Sequence, residues 1–599
     1  MRRVLLALTV GLTLSISAGP RVLQAQAPAT ATSVAARSKE LSALLAEIWE
    51  DTLKHSPETA SYLGDKRYDD QLSDYSAAAV NAALQRGMGF IQRLSAIDTT
   101  GLTHQEQLSA ELMLRSLIED QEGARFKEWQ MPINQFGGFH TDMPRLVSQL
   151  SFDGVKDYDN YIARLKKVPM AFSQIRTNME LGAESGRVPP AYLMEKVVVQ
   201  AQTLAEQKPE DSPFALPLKK FPKTMSAAEQ KRVTTDVLAA ITTDVLPAYK
   251  RFATYVRIQY VPLCRKEPGV WSLPDGDAYY AFRIKQSTTL NKSADEIHQI
   301  GLDEVKRDEA EMLAIVKKLG FADLKSFSAA LKTNPKEHPA SKDALLDAYR
   351  GYIGQMKPKL PELFGRLPKA QLEVVAMPSY IEKDQAAAFY DQGTPDGSRP
   401  GRVDVNTYNF AERSLAPVES VAYHEGIPGH HLQIAIQQEL TGTPEFRKQS
   451  YYTAFTEGWA MYSERLGKEV GFYQDPYSDY GRLEDDMWRA IRLVVDTGVH
   501  SKHWTRQQMV DFFHEHSAID ETNIQAEVDR YIAWPGQALG YKMGQLKILE
   551  LRQRAQTALG PKFSLKAFHD VVLDSGALPM DVLEQQVDAW IATQKSGAN

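Results

Sequence analysis

The sequence predicts a mainly α-helical protein with two lobes. Segments with helical spacing of apolar residues cover 34–53, 226–260 and 294–319, whereas the strict alternation that is typical of strands is scarce. A chain of 599 residues also exceeds a typical single hydrophobic core. We therefore expect an N-terminal helical lobe over residues 28–265, a second helical lobe over residues 266–599, and a cleft between them.

The first residues have the composition of an export signal. Arg2 and Arg3 precede an apolar run from Val4 to about Ala18, and Ala25-Gln26-Ala27 has the small-x-small form of a signal-peptidase site. The run is shorter than a comfortable membrane span, and no comparable stretch follows it. We expect residues 1–27 to be a signal peptide, the mature chain to be periplasmic or secreted, and no stable membrane span to remain after cleavage; a retained N-terminal anchor is the alternative.

Charge and cysteine content narrow the class of protein further. The formal net charge is -7 at pH 7, so the composition does not favour a nucleic-acid partner. Cys264 is the one cysteine of the sequence, and it lies far from the start. We therefore expect neither an internal disulfide nor a lipid-bearing cysteine at the mature N-terminus.

Three of the thirteen histidines and a glutamate fall within eight residues, His424-Glu425-Gly426-Ile427-Pro428-Gly429-His430-His431. A zinc hydrolase needs two neutral imidazoles that hold the ion, a carboxylate that is not a ligand and takes a proton from water, and a third ligand from elsewhere. The first two requirements are present in this segment. It predicts a zinc site with Glu425 as the general base.

The spacing of these histidines departs from H-E-x-x-H, in which the two rings lie one helical turn apart. His424 is six residues from His430 and seven from His431, or about 9 to 10.5 Å along a regular helix, which is too far for one zinc ion. Pro428 cannot donate a hydrogen bond to the His424 carbonyl, and glycines on either side of it allow unusual dihedral angles. We expect the helix to bulge and loop out two residues. His430 is then the preferred ligand, and His431 is the alternative ligand or a group that contacts substrate.

Glu457 is the predicted third ligand. It stands near the start of a segment with helical spacing of apolar residues, 456–466. Its distance from His430 leaves room for the first helix to end, for a turn at 441–444 and for a second helix to return. Glu464 lies two helical turns further on the same face, where it could orient a metal-binding histidine.

The segments HEGIPGHHLQ and TEGWAMYSERLG together resemble the bacterial domain-of-unknown-function 885 family. That family is similar to the mostly helical gluzincin metallopeptidases of the thimet-oligopeptidase and thermostable-carboxypeptidase type, which carry H-E-x-G-H. This chain has two additional residues between the Glu and the Gly. The resemblance covers about residues 380–545 and favours His430 over His431, with Glu457 as third ligand. It implies a metallopeptidase-like fold with a central cleft and a small β-sheet or hairpin beside the metal helix.

A turn-rich segment upstream of the motif, 391–400, is followed by residues 402–407, whose alternation predicts a short strand. The resemblance places such a strand just before the zinc helix. A strand at the edge of a sheet beside the metal can pair with an extended peptide backbone. We therefore predict Asn406 as a substrate-binding residue, and a solvent-facing hairpin is the alternative.

Downstream of the motif, a Pro-Gly turn at 535–536 precedes a predicted helix that ends near residue 560. Tyr541 resembles the tyrosine of a Gly-Tyr pair that related peptidases present to the developing oxyanion. Loss of such a donor typically lowers the rate by a factor on the order of 10²–10³. The alternative is an ordinary core tyrosine.

One predicted helix carries an apolar stripe and four polar residues, Arg489, Arg492, Asp496 and His500. Either arginine could bind a substrate carboxylate, and His500 could donate a proton to the reaction intermediate. Alternatively, Arg492 and Asp496 lie four residues apart and only support the helix. Both arginines are candidate substrate-binding residues, and His500 is a candidate catalytic residue.

Together these residues predict an exported zinc-dependent metallopeptidase that hydrolyses short peptides. Glu425 would activate water, and Tyr541 would stabilise the tetrahedral oxyanion. One alternative is a non-catalytic exported protein that binds metal or peptide, in which the two additional residues have moved Glu425 out of place. Another is a hydrolase of a non-peptide amide.

Overall fold

The structure is a computed structural model, and it describes residues 33–377, 382, 386–394, 397 and 399–597. The predicted signal peptide, residues 1–27, lies outside the described residues. The described part of the chain is mainly helical, as the sequence predicts. In this part, no helix is both long enough and apolar enough to cross a membrane.

The α-helices, in chain order, are α1 (Val34–His55), α2 (Pro57–Tyr62), α3 (Ala77–Ser95), α4 (His104–Gly123), α5 (Phe139–Val147), α6 (Val155–Leu165), α7 (Val168–Glu184), α8 (Ala191–Ala205), α9 (Ala227–Ala240), α10 (Leu246–Tyr255), α11 (Gly276–Thr288), α12 (Ala294–Lys318), α13 (Leu324–Thr333), α14 (Lys342–Met356), α15 (Leu360–Leu363), α16 (Val418–Glu425), α17 (His430–Gln438), α18 (Glu445–Lys448), α19 (Thr453–Glu469), α20 (Pro476–Ser501), α21 (Arg506–His516), α22 (Glu521–Ala533), α23 (Leu539–Leu559), α24 (Leu565–Leu573) and α25 (Met580–Ser596).

The three long helical segments that the sequence predicts are confirmed as α1, as a run from α9 through α10, and as α12. Each begins at a serine, Ser33, Ser226 or Ser293, whose hydroxyl accepts a hydrogen bond from the backbone N–H three residues further on. Glu229 and Glu296 complete capping boxes by accepting from the N–H of the capping serine. Two π-helical turns, one before and one after α10, keep the middle run continuous.

Three short strands form one sheet in the order β1-β3-β2: β1 is Leu372–Ala376, β2 is Ala388–Asp391 and β3 is Gly401–Val405. β3 pairs with β1 in parallel and with β2 antiparallel. The predicted strand at 402–407 is therefore present as β3, but its predicted place at the edge is wrong, because β3 is paired on both sides. β2 is the edge strand that lies against α16.

Two large apolar clusters form most of the core. The first contains residues from both sides of position 265, such as Val245 and Tyr480. The second joins the sheet to α19 and α23 through Val403, Trp459 and Leu551. The division into lobes at residue 265 stays a prediction, and the second cluster is the one that surrounds the predicted metal site.

Candidate metal centre

The predicted metal-binding helix is interrupted by a four-residue loop. α16 ends at Glu425, and α17 begins at His430. In a regular helix the Tyr423 carbonyl would accept from the N–H of Ile427, but here it accepts from the N–H of Gly429 at 2.9 Å. Two residues are therefore looped out, as the sequence predicts. The structure corrects one detail, because the chain breaks into two helices rather than bulging within one.

Gly429 allows the chain to close this loop. A Cβ atom at position 429 would lie 2.0 Å from the carbonyl oxygen of His424 and 2.3 Å from that of Tyr423. No side chain fits this approach. The Ile427–Pro428 peptide bond in the loop is cis, and the Pro428 carbonyl accepts a hydrogen bond from Trp459 Nε1 at 2.9 Å. This bond attaches the loop to α19, the helix that carries Glu457.

His424, His430 and Glu457 come together at this break, and together they could hold a metal ion. Glu457 Oε2 lies 3.5 Å from His424 Nε2 and 3.4 Å from His430 Nε2. Two ligands that are each about 2.1 Å from a tetrahedral ion are about 3.4 Å apart. The two imidazole rings are perpendicular, with an interplanar angle of 89°. These separations and donor types fit the predicted ligand set.

Carboxylates surround the two imidazoles. His424 Nδ1 lies 2.6 Å from Glu464 Oε1, on the side of the ring opposite to Glu457. Burial alone would lower the pKa of His424, but its contacts with Glu457 and Glu464 outweigh burial and raise that pKa to about 10. Burial likewise opposes ionisation of Glu457, yet His430 and His424 hold its pKa well below the ordinary value. The carboxylates thus stabilise positive charge at this position, as a site for a bound cation requires.

Glu425 is held beside this group by the edge strand. Its Oε2 accepts a hydrogen bond of 2.9 Å from the backbone N–H of Tyr390 in β2. Its Oε1 lies 4.0 Å from His424 Nε2. One oxygen is thus fixed by the sheet while the other faces the ligand atoms, so the two additional residues have not moved Glu425 away from the group.

His431 points to a different environment. Its Nδ1 is 3.1 Å from the hydroxyl of Tyr390, and the two rings pack edge to face. Burial lowers the pKa of His431 to about 4, so the ring is neutral. Of the two histidines that the sequence leaves open, the structure places His430 at the ligand group and His431 against Tyr390 of β2.

α23, the helix that carries Tyr541, packs against α19, the helix that carries Glu457. A Cβ atom on Gly458 would lie 2.5 Å from the backbone carbon of Gly544, so the two helices touch through their backbones one turn from Tyr541. Tyr451, just before α19, also lies here and donates a hydrogen bond of 2.9 Å to Glu457 Oε1. Tyr451 is not predicted from the sequence, because no motif marks it.

The two predicted arginines are occupied by other residues of the protein. Arg489 donates to the carbonyl and to the carboxylate of Asp485, and its Nη2 lies 3.8 Å from Glu464 Oε1. Arg492 donates to the Tyr531 hydroxyl at 3.0 Å, and its Nη2 lies 3.1 Å from Glu527. Neither guanidinium contacts the ligand group directly. Arg489 instead supports the carboxylate that binds His424.

The helix-support pair of Arg492 and Asp496 is not formed. Asp496 instead accepts hydrogen bonds from the Tyr280 hydroxyl at 2.6 Å and from the N–H of Gly536 at 3.1 Å. It thereby fixes the turn that precedes α23 and Tyr541.

His500 and Asn406 are bound to backbone groups. His500 Nδ1 accepts from the N–H of Val270 at 3.1 Å, and Nε2 lies 2.9 Å from the Tyr531 carbonyl, which leaves neither ring nitrogen for the predicted proton donation. The amide nitrogen of Asn406 donates to the carbonyls of Glu382 and Ala386. Both side chains are completely buried. Their predicted catalytic and substrate-binding roles are therefore not supported: His500 joins α22 to the turn at Val270, and Asn406 holds the segment before β2.

The fold and the site can be compared with known proteins. A family model described as "Bacterial protein of unknown function (DUF885)" matches residues 57–587. The chain belongs to this family. The family match extends well beyond the two motifs that first suggest it, whereas the likeness to gluzincin metallopeptidases stays an inference from those motifs.

Two solved structures are similar to this protein. The first is from Colwellia psychrerythraea and is described as a putative lipoprotein. It is 29% identical with a TM-score of 0.88, and the match covers 93% of this chain and 100% of that one. A second, described as a putative lipoprotein of unknown function from Shewanella oneidensis, is 19% identical with a TM-score of 0.71, and covers 93% and 99%. The second likeness shows the fold alone. No curated protein matches the chain.

Proposed function

We propose that this protein is a zinc-dependent metallopeptidase that cleaves short peptides. One observation carries the proposal: Glu425 is oriented by the Tyr390 N–H so that its second oxygen faces the three-ligand group. A carboxylate that only bound a metal or stabilised a helix would not need this orientation. The ligand group is nearly buried, with His424 3% and Glu457 9% exposed, which favours a single extended chain over a folded protein as substrate.

His424, His430 and Glu457 would hold the ion, and zinc suits a set of two imidazoles and one carboxylate. When bound, zinc would supply a Lewis acid that polarises a carbonyl group and lowers the pKa of water. Glu464 would keep His424 in the orientation that directs Nε2 toward the ion. The chain thus provides three ligands and one orienting carboxylate.

The remaining residues would carry out the proton transfers and bind the substrate. Glu425 Oε1 would accept the proton of the attacking water and pass it to the leaving amine. The Tyr541 oxygen accepts a hydrogen bond of 3.0 Å from Arg530, which leaves the Tyr541 proton to be donated to the developing oxyanion. On β2, the backbone groups of Ala388 and Tyr390 point away from β3. Their carbonyls would accept hydrogen bonds from an extended peptide.

A cleavage assay tests the function. The purified chain, loaded with zinc, should cleave members of a mixed peptide library, and removal of zinc should abolish the cleavage. Glu425→Gln should retain the fold and the zinc but lose nearly all turnover, because an amide does not accept the proton from water. Glu362→Gln is the matched control, since Glu362 is 67% exposed and lies on α15 away from the group. Equal cleavage by Glu425→Gln and the parent would refute the proposed mechanism.

We further propose that the protein is exported. Residues 1–27 have the pattern of a signal peptide, and both solved relatives are described as putative lipoproteins. Cys264 is the one cysteine of the printed sequence, and its sulfur contacts the Tyr260 carbonyl at 3.3 Å. Export without a lipid at this cysteine is therefore the form that we propose.

A further inference from the structure

Two arginines pack against the ring of Tyr541. The guanidinium carbons of Arg492 and Arg530 lie 4.5 Å and 5.7 Å from the ring centre. Arg530, at the end of α22, also donates a hydrogen bond of 3.0 Å to the Tyr541 hydroxyl oxygen. The predicted oxyanion donor is thus surrounded by positive charge, and Arg530 is not among the residues that the sequence singles out.

The charges of this pair are only half neutralised. Glu527 is shared, because Oε2 lies 3.1 Å from Arg492 and Oε1 lies 3.3 Å from Arg530. Burial opposes the ionised form of Glu527, but Arg530 and Arg492 outweigh it and lower the pKa of Glu527 to about 2. Their other hydrogen-bond partners, such as Gln537 on Arg530, are neutral. One positive charge therefore remains for the pair.

Donor groups also remain. Arg492 Nη1 and Arg530 Nε are buried nitrogens without a hydrogen-bond partner among the described residues. Arg492 is nearly inaccessible, whereas the Arg530 side chain is 16% exposed. A buried guanidinium nitrogen is normally hydrogen-bonded. Arg530 is therefore the more accessible guanidinium of the two, and Arg492 lies deeper.

Tyr451 connects this pair to the ligand group. It is 55% exposed, and its hydroxyl donates to Glu457 Oε1. Next to Tyr541, a Cβ atom on Gly540 would lie 2.7 Å from Thr453 Cγ2, one helical turn from Glu457, so Tyr541 and its two arginines lie beside the start of α19. The arginines thus stand beside the proposed zinc ligands, within the reach of a substrate that is bound there.

We propose that Arg530, with the charge of Arg492 behind it, binds a carboxylate of the peptide substrate close to the bond that is cleaved. A guanidinium matches a carboxylate in shape and charge and can donate two parallel hydrogen bonds to it. The carboxylate is supplied either by the C-terminus of the peptide or by an acidic side chain. This inference rests on the proposed peptidase function and names the substrate class of that site.

Binding measurements on zinc-loaded Glu425→Gln test the inference without turnover. Three probes are compared by calorimetry: acetyl-trialanine with a free C-terminal carboxylate, the same peptide as its C-terminal amide, and an acetyl-dialanyl-glutamate amide. One of the two carboxylate probes should bind roughly 10- to 100-fold more tightly than the neutral amide. Preference for the free acid identifies the C-terminus as the source, and preference for the glutamate amide identifies a side chain. Equal affinity for all three overturns the inference.

Variants of Arg530 test whether this residue causes the preference for a carboxylate. Arg530→Gln in the same Glu425→Gln protein should abolish it, and Arg530→Lys should retain part of it, because lysine keeps the charge but not the fork. Arg554→Gln is the matched control: Arg554 lies on α23 and pairs with Glu584 and Asp588. Full preference in Arg530→Gln refutes the inference.

The fold of each variant is checked by circular dichroism. If Arg530→Gln does not fold, Tyr541→Phe takes its place and should reduce the preference, because phenylalanine cannot accept the hydrogen bond that orients Arg530. Cleavage by the parent without a carboxylate preference contradicts only this inference. Carboxylate preference without cleavage contradicts only the peptidase function.

Discussion

The loop between α16 and α17 gives a sharp test of how the ligands are positioned, through Gly429→Ala. The added Cβ would lie 2.0 Å from the His424 carbonyl oxygen, more than 1 Å inside ordinary contact. Because His424 is itself a predicted ligand, the clash acts directly on the site. Overpacking of this kind typically costs about 1–3 kcal/mol. If release of the ion relieves that strain, the affinity for zinc falls by roughly 5- to 150-fold.

The assay is competition for zinc between the protein and a fluorescent chelator, with the fold checked by circular dichroism. Gly354→Ala is the control, because its Cβ would meet no atom within 4 Å on α14. It should bind zinc as the parent does and gain about 0.5–1 kcal/mol in stability. Parent-like zinc affinity in folded Gly429→Ala would refute the argument that the close approach at this glycine sets the positions of the ligands.

Two further predictions concern buried carboxylates. Glu464→Gln should keep the fold but weaken zinc binding roughly 10- to 100-fold, since a neutral amide replaces the carboxylate that orients His424. Competition with a chelator measures the affinity for zinc, and an unchanged affinity would contradict the prediction. Burial raises the pKa of Asp496 to about 7 from an ordinary value of 3.8. The folded state therefore binds the proton more tightly than the unfolded state, and this group lowers stability as pH rises from about 4 through 7, by up to roughly 4 kcal/mol. Asp496→Asn removes that contribution, so its midpoint in urea should fall less between pH 5 and pH 8 than the parent's; equal slopes would refute the assignment.

Features that depend on local sequence could be predicted. The long helices follow from apolar spacing and from capping serines such as Ser226. The two looped-out residues follow from the positions of Pro428 and the adjacent glycines, since a proline removes one helical hydrogen bond and a glycine tolerates close approach. The choice of His430 over His431 follows from the same count, because looping out two residues brings only His430 back to the spacing of one turn.

Features that depend on distant partners could not be predicted. β3 reads as a strand from its alternation, but its central place depends on pairing with β1 and β2, which lie elsewhere in the sequence. His500 and Asn406 have functional side chains, yet backbone groups of other segments, at least 20 residues away, occupy them. Spacing along one helix carries no information about such partners.

The same reason explains the residues that were missed. Tyr451 precedes a helix and Arg530 lies in the last turn of another, and neither belongs to a recognisable motif. Their relation to Glu457 and Tyr541 appears only when α19, α22 and α23 are packed together. In the sequence, each is simply an aromatic or charged residue that lies outside the motifs.

Metal analysis of two single variants tests the central claim most directly. Zinc content per chain is measured by mass spectrometry for the parent, His430→Ala and His431→Ala after dialysis against a weak chelator. The account predicts about one zinc in the parent, almost none in His430→Ala, and about one in His431→Ala, because only His430 lies with His424 and Glu457. Full zinc content in His430→Ala, or loss of zinc from His431→Ala alone, would contradict it.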